Sequence, residues 1–422
     1  MKYNILDNGL CVLSHSMLNT HSITLGLYVK AGPAYGDEMQ AGITHLLEHM
    51  HFRRLGNVSQ EDLYYKMESI GSTLRAVTYR DFLKFSMKIT PDKLEDAIEI
   101  FKCLLETYEW DEDDIMLEKQ VVKNQINSKG DYISIKDEVR NVIFKEHCLS
   151  NDIMGTVEDI DNITGQDIKK YKELIFNAQN MLFCITGNVS DNECQFVTEK
   201  LSLNTIPRTI GRKHMEKPKC FQKRQPDVVL IDVPDDNYLD VHMAFDVCLG
   251  EKTKDLVTIL NCILGEGVGS KLQKKVREEY GYTSDIASYM EWYQEFGVLH
   301  IIFTVEKKQL LSCFEEVIKT VKQLKEIITK RDLDVSLPFY TTNQVFYEDD
   351  TEEMNFQLAY HKLVLNCDYT PSDLQNEEST IIALQNLARE IFVRENMSIV
   401  IVGNRRGITK KSLRQMVEGI LS

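Results

Sequence analysis

Two histidines and a glutamate stand close together in the segment His45-Leu-Leu-Glu48-His49. An α-helix turns about 100° per residue, so His45 and His49 would lie only about 40° apart with Glu48 beside them. Neutral imidazoles bind zinc, and a nearby carboxylate takes a proton from the zinc-activated water as it attacks a carbonyl. The spacing therefore favours a zinc-dependent hydrolase; the alternative is a helix with two partly exposed histidines. His51 is expected to be an ordinary surface or half-buried residue.

The composition is that of a folded chain. It has 422 residues, 43% of them hydrophobic and 27% charged, which is enough for two or three domains with buried cores. The formal net charge of -16 at pH 7 repels phosphate backbones and anionic lipid surfaces. We therefore expect no nucleic-acid partner and no membrane partner. A solvated acidic surface accounts for the charge more simply than a preference for cationic peptides.

Cysteine spacing and the first residues bear on the cellular compartment. The ten cysteines contain no Cys-x-x-Cys pair, and Cys184 and Cys262 stand in apolar strings, where a thiol serves as a small buried hydrophobe. The N-terminal apolar pattern is interrupted by Asn4, Asp7 and Asn8. No apolar run approaches the roughly 18 residues that span a bilayer. These features predict a cytoplasmic location.

Distant segments of the chain nearly repeat each other. Residues 180–188 and 396–404 are both apolar, β-rich runs that end in Gly-Asn. At a similar offset, the strand-like alternation of 21–32 is matched by 238–250. The members of each pair lie about half the chain apart, which indicates two copies of one domain.

Helical and linker signals complete the predicted architecture. Residues 91–110 and 163–176 carry apolar side chains at helical spacing. Residues 206–226 hold three of the eight prolines and a cluster of Lys and Arg, and predict a linker. We therefore predict an α+β fold in which homologous domains at 1–205 and 227–422 each pack a mainly antiparallel sheet with helices.

Further segments match one known family in order along the chain: 8–10, 30–32, 42–52, 71–81, 154–156, 269–272 and 276–278. Together with the His-x-x-Glu-His motif, they make the chain resemble the pitrilysin/insulinase inverzincin metallopeptidases. The resemblance is to the half-sized branch similar to mitochondrial processing peptidase, and it covers nearly the whole length.

The resemblance implies both an architecture and a site. Two similar domains per chain, and two chains of the family in a hetero- or homodimer, would close as a clam-shell around an unfolded peptide. His45 and His49 would bind Zn2+, and Glu48 would be the general base. The second half contains no such motif, which agrees with one zinc site per chain.

The third zinc ligand implied by the resemblance departs from the family pattern. The family has a Glu there, preceded seven residues earlier by another Glu. Here Glu118 fits the earlier position and Gln125 stands at the ligand position. A neutral amide oxygen is a weaker zinc ligand than a carboxylate. Either the site is weakened or Glu118 replaces the ligand, which requires a shifted helix because Glu118 would lie about 10 Å away.

A second departure concerns the substrate-holding Arg and Tyr that the family places seven residues apart in its C-terminal domain. There they hold the peptide and stabilise the developing oxyanion. Arg277 stands at the first position, but Ser284 stands at the second, with Tyr282 two residues before it. The alternative for Arg277 is an ordinary surface charge on a helix.

A third departure concerns the edge strand on which the family pairs its substrate. The family reads Asn-Ala-x-Thr, and this chain reads Arg75-Ala76-Val77-Thr78. Pairing by β-augmentation uses main-chain groups and would survive the change, whereas a side-chain contact to the peptide would differ.

Two functions are consistent with these residues. The first is a zinc endopeptidase that cuts peptides or leader sequences, as the metal-bearing subunit of a dimer. The second is a degenerate, non-catalytic subunit that binds peptides and whose metal site is weakened at Gln125. The complete His-x-x-Glu-His motif favours the enzyme, and the loss of the ligand Glu and of the Tyr favours the alternative.

Overall fold

The computed structural model of the chain describes residues 1–35, 40–106, 108–128, 134–145, 147–204, 206, 226–233, 237–248, 254–293, 296–369 and 377–421. Strands and helices are mixed throughout these ranges, which confirms the α+β prediction. In this part of the chain no helix is both long enough and apolar enough to cross a membrane.

The strands and helices follow one another along the whole chain. The strands are β1 (Lys2–Ile5), β2 (Cys11–Ser16), β3 (Ile23–Val29), β4 (Arg54–Leu55), β5 (Val58–Ser59), β6 (Arg75–Thr78), β7 (Leu83–Ile89), β8 (Met181–Gly187), β9 (Asp227–Asp232), β10 (Tyr238–Val247), β11 (Ile286–Trp292), β12 (Gly297–Glu306) and β13 (Met397–Gly403). The α-helices are α1 (Ile43–Arg53), α2 (Gln60–Ile70), α3 (Leu94–Leu105), α4 (Glu112–Ser128), α5 (Ile135–Ile143), α6 (Val157–Asn162), α7 (Gly165–Ile175), α8 (Asp191–Ser202), α9 (Lys254–Leu264), α10 (Leu310–Glu326), α11 (Lys330–Phe346), α12 (Thr351–Leu363), α13 (Glu377–Ile391) and α14 (Lys410–Leu421).

The two large sheets are built alike, as the sequence repeats predict. The first has the order β1-β2-β8-β3-β7-β6, and the second has the order β11-β12-β10-β13-β9. Each sheet is antiparallel except for one parallel pair, β2 with β8 and β9 with β13. The repeated Gly-Asn segments form β8 and β13, which pair antiparallel with the repeated strands β3 and β10. The duplication is therefore present in the topology as well as in the sequence.

The described residues cluster into two compact units. The first takes Met1–Tyr132, Asn151–Glu216 and Val345–Tyr369, and the second takes Ile133–Ser150, Lys217–Gln344 and Thr370–Ser422. In the first unit α12 packs on β3 and β8, and in the second α5 packs on β10 and β13. Each unit thus includes one helix from the other half of the chain, a feature that the predicted boundaries 1–205 and 227–422 leave out. The predicted linker lies largely outside the described residues and stays a prediction.

Asn355 of α12 holds this helix against the first sheet. Its side-chain amide donates to the carbonyl oxygens of Thr24 and Cys184 at 3.1 and 3.0 Å and accepts from the Tyr28 hydroxyl at 2.9 Å. Gly26 makes the approach possible, because a Cβ there would lie 2.3 Å from the Asn355 side-chain oxygen. These contacts fix α12 over the centre of the sheet.

His51 is fully buried, so the expectation of a surface or half-buried residue is wrong. Its Nδ1 donates to the Leu47 carbonyl oxygen at 2.7 Å, and its ring stacks on Phe176 with centroids 5.3 Å apart. The Lys172 ammonium lies 3.5 Å from the centroid of the Tyr108 ring in the same cluster. Burial, and then the charge of Lys172, hold the pKa of His51 well below its usual value. His51 is therefore a neutral packing residue of α1.

The buried Lys172 leads to a stability prediction. Burial holds the pKa of Lys172 well below its usual value, so the folded state disfavours the charge that the unfolded chain carries. As the pH rises from that lowered pKa toward about 10.4, the unfolded chain binds more protons, and the free energy of unfolding increases. We expect Lys172→Met to raise this free energy by about 1 kcal/mol at pH 7 and to flatten its pH dependence.

Urea denaturation at pH 7 and pH 10 measures both effects, with Lys170→Met as the control because Lys170 is an exposed residue of the same helix. A Lys172→Met variant that is less stable than the parent at pH 7 would contradict the prediction. It would mean that the hydrogen bond from Lys172 to the Glu106 carbonyl oxygen, at 2.9 Å, outweighs the cost of burying the charge.

Candidate active site

Helix α1 orients the predicted catalytic residues through the way its apolar face is packed. It begins after Gly42, which has φ 85° and where a Cβ would lie 2.5 Å from the carbonyl oxygen of Met154. The apolar residues recur at helical spacing, so burying them leaves His45, Glu48 and His49 facing α4 and β6. The buried apolar residues of α1 are Ile43, Leu46, Leu47 and Met50.

The two histidines of the motif lie side by side, and His45 contacts Gln125 of α4. The imidazole centroids of His45 and His49 are 4.7 Å apart, and Nε2 of His45 lies 3.1 Å from Oε1 of Gln125. Burial lowers the pKa of His45, but hydrogen bonds with Glu48 and Gln125 raise it more, so this pKa lies above its usual value. A proton therefore competes with any metal ion for His45.

Glu118 orients His49. Its Oε2 accepts a hydrogen bond from Nδ1 of His49 at 2.9 Å, and its Oε1 accepts one from Nε of Arg53 at 2.5 Å. Burial raises the pKa of Glu118, but these two hydrogen bonds outweigh burial and hold it below its usual value. A carboxylate on one ring nitrogen of His49 leaves the other nitrogen to face a metal. Glu118 thus has the geometry of a residue that positions a ligand.

Glu48 is held as a carboxylate at the end of strand β6. Its Oε2 accepts a hydrogen bond from the Thr78 hydroxyl and lies 3.7 Å from Nδ1 of His45. Burial raises the pKa of Glu48, but the hydrogen bonds from His45 and Thr78 lower it more, so it lies below its usual value. Glu48 is therefore ionised near neutral pH, as a general base must be.

The donor set offers two imidazoles and one amide oxygen to a zinc ion and lacks the negative charge of a carboxylate ligand. Among the described residues, no three His, Cys, Asp or Glu side chains are grouped so that they could hold a metal ion. His45 lies beside both His49 and Gln125, and the 3.1 Å from its Nε2 to Oε1 of Gln125 is close to the roughly 3.3 Å between neighbouring ligand atoms of tetrahedral zinc. We expect such a site to bind zinc more weakly than one with a carboxylate in place of Gln125.

The position of Glu118 leads to a second prediction. We expect Glu118→Gln to weaken zinc binding by about 10- to 100-fold, because it removes the negative charge that orients His49 and pairs with Arg53. The zinc dissociation constant, measured by competition with a chromophoric chelator, tests this. Asp113→Asn is the control, since Asp113 is an exposed acid in the first turn of the same helix. Unchanged affinity in Glu118→Gln would show that the carboxylate has no part in the site.

The predicted substrate-strand residues lie on β6, next to this cluster. Ala76 is half-buried against the first core, whereas the Arg75 side chain is exposed and has a guanidinium nitrogen 3.9 Å from a carboxylate oxygen of Glu352. β6 is the last strand of its sheet. The structure therefore brings this edge, both histidines, Glu48, Glu118 and Gln125 together within the first unit.

The remaining predicted residues lie in the second unit. Arg277 belongs to a π-helical segment, Gln273–Glu279, and has a guanidinium nitrogen 3.5 Å from Oε1 of Gln273. Tyr282 is partly buried against the second core, and its ring stacks on Tyr280 with centroids 5.2 Å apart. Ser284 is exposed in the loop before β11. Within this unit Tyr282 therefore belongs to a tyrosine pair, whereas Ser284 offers a small hydroxyl where the family has a ring.

Two residues of the site were not among the predicted ones. Arg53 holds Glu118, and Thr78 holds Glu48. The sequence does contain a signal for Arg53, because a residue four positions after His49 lies on the same helical face. Thr78 belongs to the edge-strand pattern described above, but no local pattern identifies its contact with Glu48, which joins a strand to a helix thirty positions earlier in the chain.

Comparisons with known proteins match most of the chain. A family sequence model described as "Insulinase (Peptidase family M16)" matches residues 11–157, and one described as "Peptidase M16 inactive domain" matches residues 162–337. An uncharacterised zinc protease of Bacillus subtilis is 23% identical over 92% of this chain and 95% of its own length. The mitochondrial-processing peptidase subunit beta of Caenorhabditis elegans is 22% identical over 94% of this chain and 88% of its own length.

Solved structures show the same fold. The crystal structure of a protease from Helicobacter pylori has a TM-score of 0.82 at 20% identity, covering 95% of this chain and 99% of that chain. The putative M16-like peptidase from Alicyclobacillus acidocaldarius has a TM-score of 0.80 at 16% identity, covering 95% of this chain and 97% of that chain. At these identities the likeness concerns the fold alone.

Proposed function

Because the chain belongs to the insulinase (M16) peptidase family, we propose that it is a zinc-dependent endopeptidase that cuts extended peptides or the leader sequences of precursors. The observation that carries this proposal is the placement of His45 beside both His49 and Gln125, next to an ionised Glu48. His45, His49 and the amide oxygen of Gln125 would hold the ion. The ion, when bound, would acidify a water molecule and polarise the scissile carbonyl.

The residues of the first unit supply the remaining steps. An extended peptide pairs its main chain with the outer edge of β6, which brings its backbone to the end of the strand where Thr78 lies. Glu48, held by the Thr78 hydroxyl, takes the proton of the attacking water and passes it to the leaving amine. Glu118 keeps His49 in one orientation throughout.

A second candidate function is a non-catalytic subunit that binds and presents peptides. The neutral Gln125 favours it, because a zinc site with no carboxylate ligand holds the ion less tightly. Ser284, where the family has a substrate-holding Tyr, favours it as well. In both candidate functions the peptide binds at the edge of β6. They differ in whether the site holds zinc and not in the kind of peptide bound.

The proposal includes a second chain of the same family and a cytoplasmic location. The names of relatives such as the mitochondrial-processing peptidase beta subunit support the partner, because they describe one subunit of an assembly. We propose that two chains enclose the peptide in a chamber.

Metal content and cleavage test the proposal together. The purified chain, alone and mixed with candidate partner chains, is titrated with zinc and incubated with a library of quenched fluorescent peptides. Saturable zinc binding that His45→Ala abolishes, with cleavage that depends on zinc, would support the endopeptidase. Peptide binding without zinc binding or cleavage, in every mixture, would overturn it and favour the non-catalytic subunit.

A further inference from the structure

Strand β6 is an exposed sheet edge that ends beside the proposed base. It is the outermost strand of the first sheet, and its last residue, Thr78, donates a hydrogen bond to Glu48. Its outer main-chain groups face no strand among the described residues. A peptide that adds a strand there has one residue opposite each residue of β6, with side-chain carbons of opposed residues about 5 Å apart.

Successive side chains of β6 point to opposite faces of the sheet. Ala76 and Thr78 face α1, since Ala76 packs against the first core and Thr78 reaches Glu48. Arg75 and Val77 face the other side, where α12 lies, since Arg75 approaches Glu352 of that helix. A peptide paired with this edge therefore presents every second side chain to Arg75 and Val77.

Three cations and three carboxylates lie close together on the face of the sheet at Arg75, and Arg75 is the exposed cation on the edge strand. The Arg75 side chain is 70% exposed, and the ammonium of Lys84 on β7 also lies 3.9 Å from the carboxylate of Glu352. Two cations therefore share one carboxylate, and only Arg75 is on the edge strand. Val77 beside it is 43% exposed, and it offers a small apolar surface.

The other charged groups around this position are already engaged. Lys88 of β7 pairs with Asp350 at 3.2 Å, and Glu353 of α12 accepts a hydrogen bond from Gln357 at 2.8 Å. A cavity of about 250 Å³ borders Arg75, Lys88 and Glu352 and has room for a further polar side chain. An added carboxylate there would meet the accessible guanidinium of Arg75 first.

We infer that the peptide bound at β6 carries an acidic residue opposite Arg75 and an apolar residue opposite Val77, two positions apart on one face. A guanidinium forms paired, charge-assisted hydrogen bonds with a carboxylate, which an Asn at this position could not form. This inference rests on the proposed binding of an extended peptide and names its specificity. The pattern is acid-x-apolar or apolar-x-acid, according to the direction in which the peptide runs.

Binding measurements with designed peptides test the pattern on the full-length chain. Fluorescein-labelled decapeptides of Ser and Thr carry one Glu and one Leu in both orders, separated by one, two or three positions, and matched peptides carry Lys in place of Glu. We expect the two-position Glu peptides to bind about five- to tenfold more tightly than their Lys counterparts and than the other spacings. Fluorescence anisotropy reports binding whether or not cleavage occurs.

Three variants locate the effect. Arg75→Asn should reduce the preference for Glu over Lys to less than about twofold, and Arg75→Glu should reverse it. Lys88→Asn should leave it in place, because Lys88 lies on the same face of the sheet but on the inner strand. If Arg75→Asn and Lys88→Asn lose the preference for Glu equally, the inference is overturned. Such a result would indicate that the cations of this face together attract the peptide and that the peptide makes no specific contact with Arg75.

The inferred specificity and the proposed peptide-binding function are contradicted by different results. If the chain binds all the peptides alike and the Arg75 variants do not change this, the inferred specificity is wrong, whereas the proposed peptide-binding function stands. If the chain binds none of the peptides, alone or mixed with candidate partner chains, the inference and the peptide-binding function fail together.

Discussion

Gln125→Glu should tighten zinc binding by about 100-fold and raise peptide cleavage at limiting zinc by a similar factor. Oε1 of Gln125 already lies 3.1 Å from Nε2 of His45, so the variant places a carboxylate where an amide stands, with no change of shape. A negative ligand attracts a divalent cation that the neutral amide holds only by its dipole, and 100-fold corresponds to about 2.7 kcal/mol. Equilibrium dialysis against buffered zinc gives the affinity directly.

Gln120→Glu is the matched control for this experiment. It makes the same chemical change at an exposed position of α4, one that donates a hydrogen bond to Asn124 and faces away from the histidines. Its zinc affinity should equal that of the parent within about twofold. If both variants gain affinity equally, the gain comes from the added charge of the helix and Gln125 is not a ligand position.

Glu48→Gln should abolish cleavage, with a loss of about 1,000-fold or more, while zinc and peptide binding stay within a few-fold of the parent. The amide oxygen of the variant can still accept the hydrogen bond from Thr78, so the side chain keeps its place and loses its ability to take a proton. The measurement is best made in the Gln125→Glu background, where we expect the highest activity. Single-turnover cleavage and zinc content are determined on the same samples.

Glu61→Gln serves as the control, since Glu61 is an exposed acid in the first turn of α2. Full activity in Glu48→Gln would mean that another group accepts the proton, and it would remove Glu48 from the proposed mechanism. Loss of zinc together with activity would instead assign Glu48 to the metal, contrary to the hydrogen bond that it accepts from Thr78.

The parts of the fold that depend on local periodicity could be predicted from the sequence. The spacing of His45, Glu48 and His49 on one helical face is such a case, because a helix fixes it regardless of tertiary contacts. The repeated strands β8 and β13 are another, since each apolar run and its closing glycine lie within about ten residues. Both predictions agree with the structure.

What depends on packing between distant elements could not be predicted. The spacing of Glu118 and Gln125 placed both on one face of α4 but left the direction of the Glu118 carboxylate open. Arg53 and His49 of α1 set that direction, and it makes Glu118 a support of His49. His51 shows the same limit, because only the aromatic residues that surround it decide that it is buried.

The exchange of helices between the two halves of the chain has a consequence for biosynthesis. At roughly 5 to 20 residues per second, about 10 to 30 seconds separate the translation of β8 from that of α12, which covers it. Throughout that interval the nascent first sheet presents an uncovered face to solvent and to chaperones. A gene fragment that ends at the predicted linker would leave this face bare permanently, so single halves are poor starting points for recombinant expression.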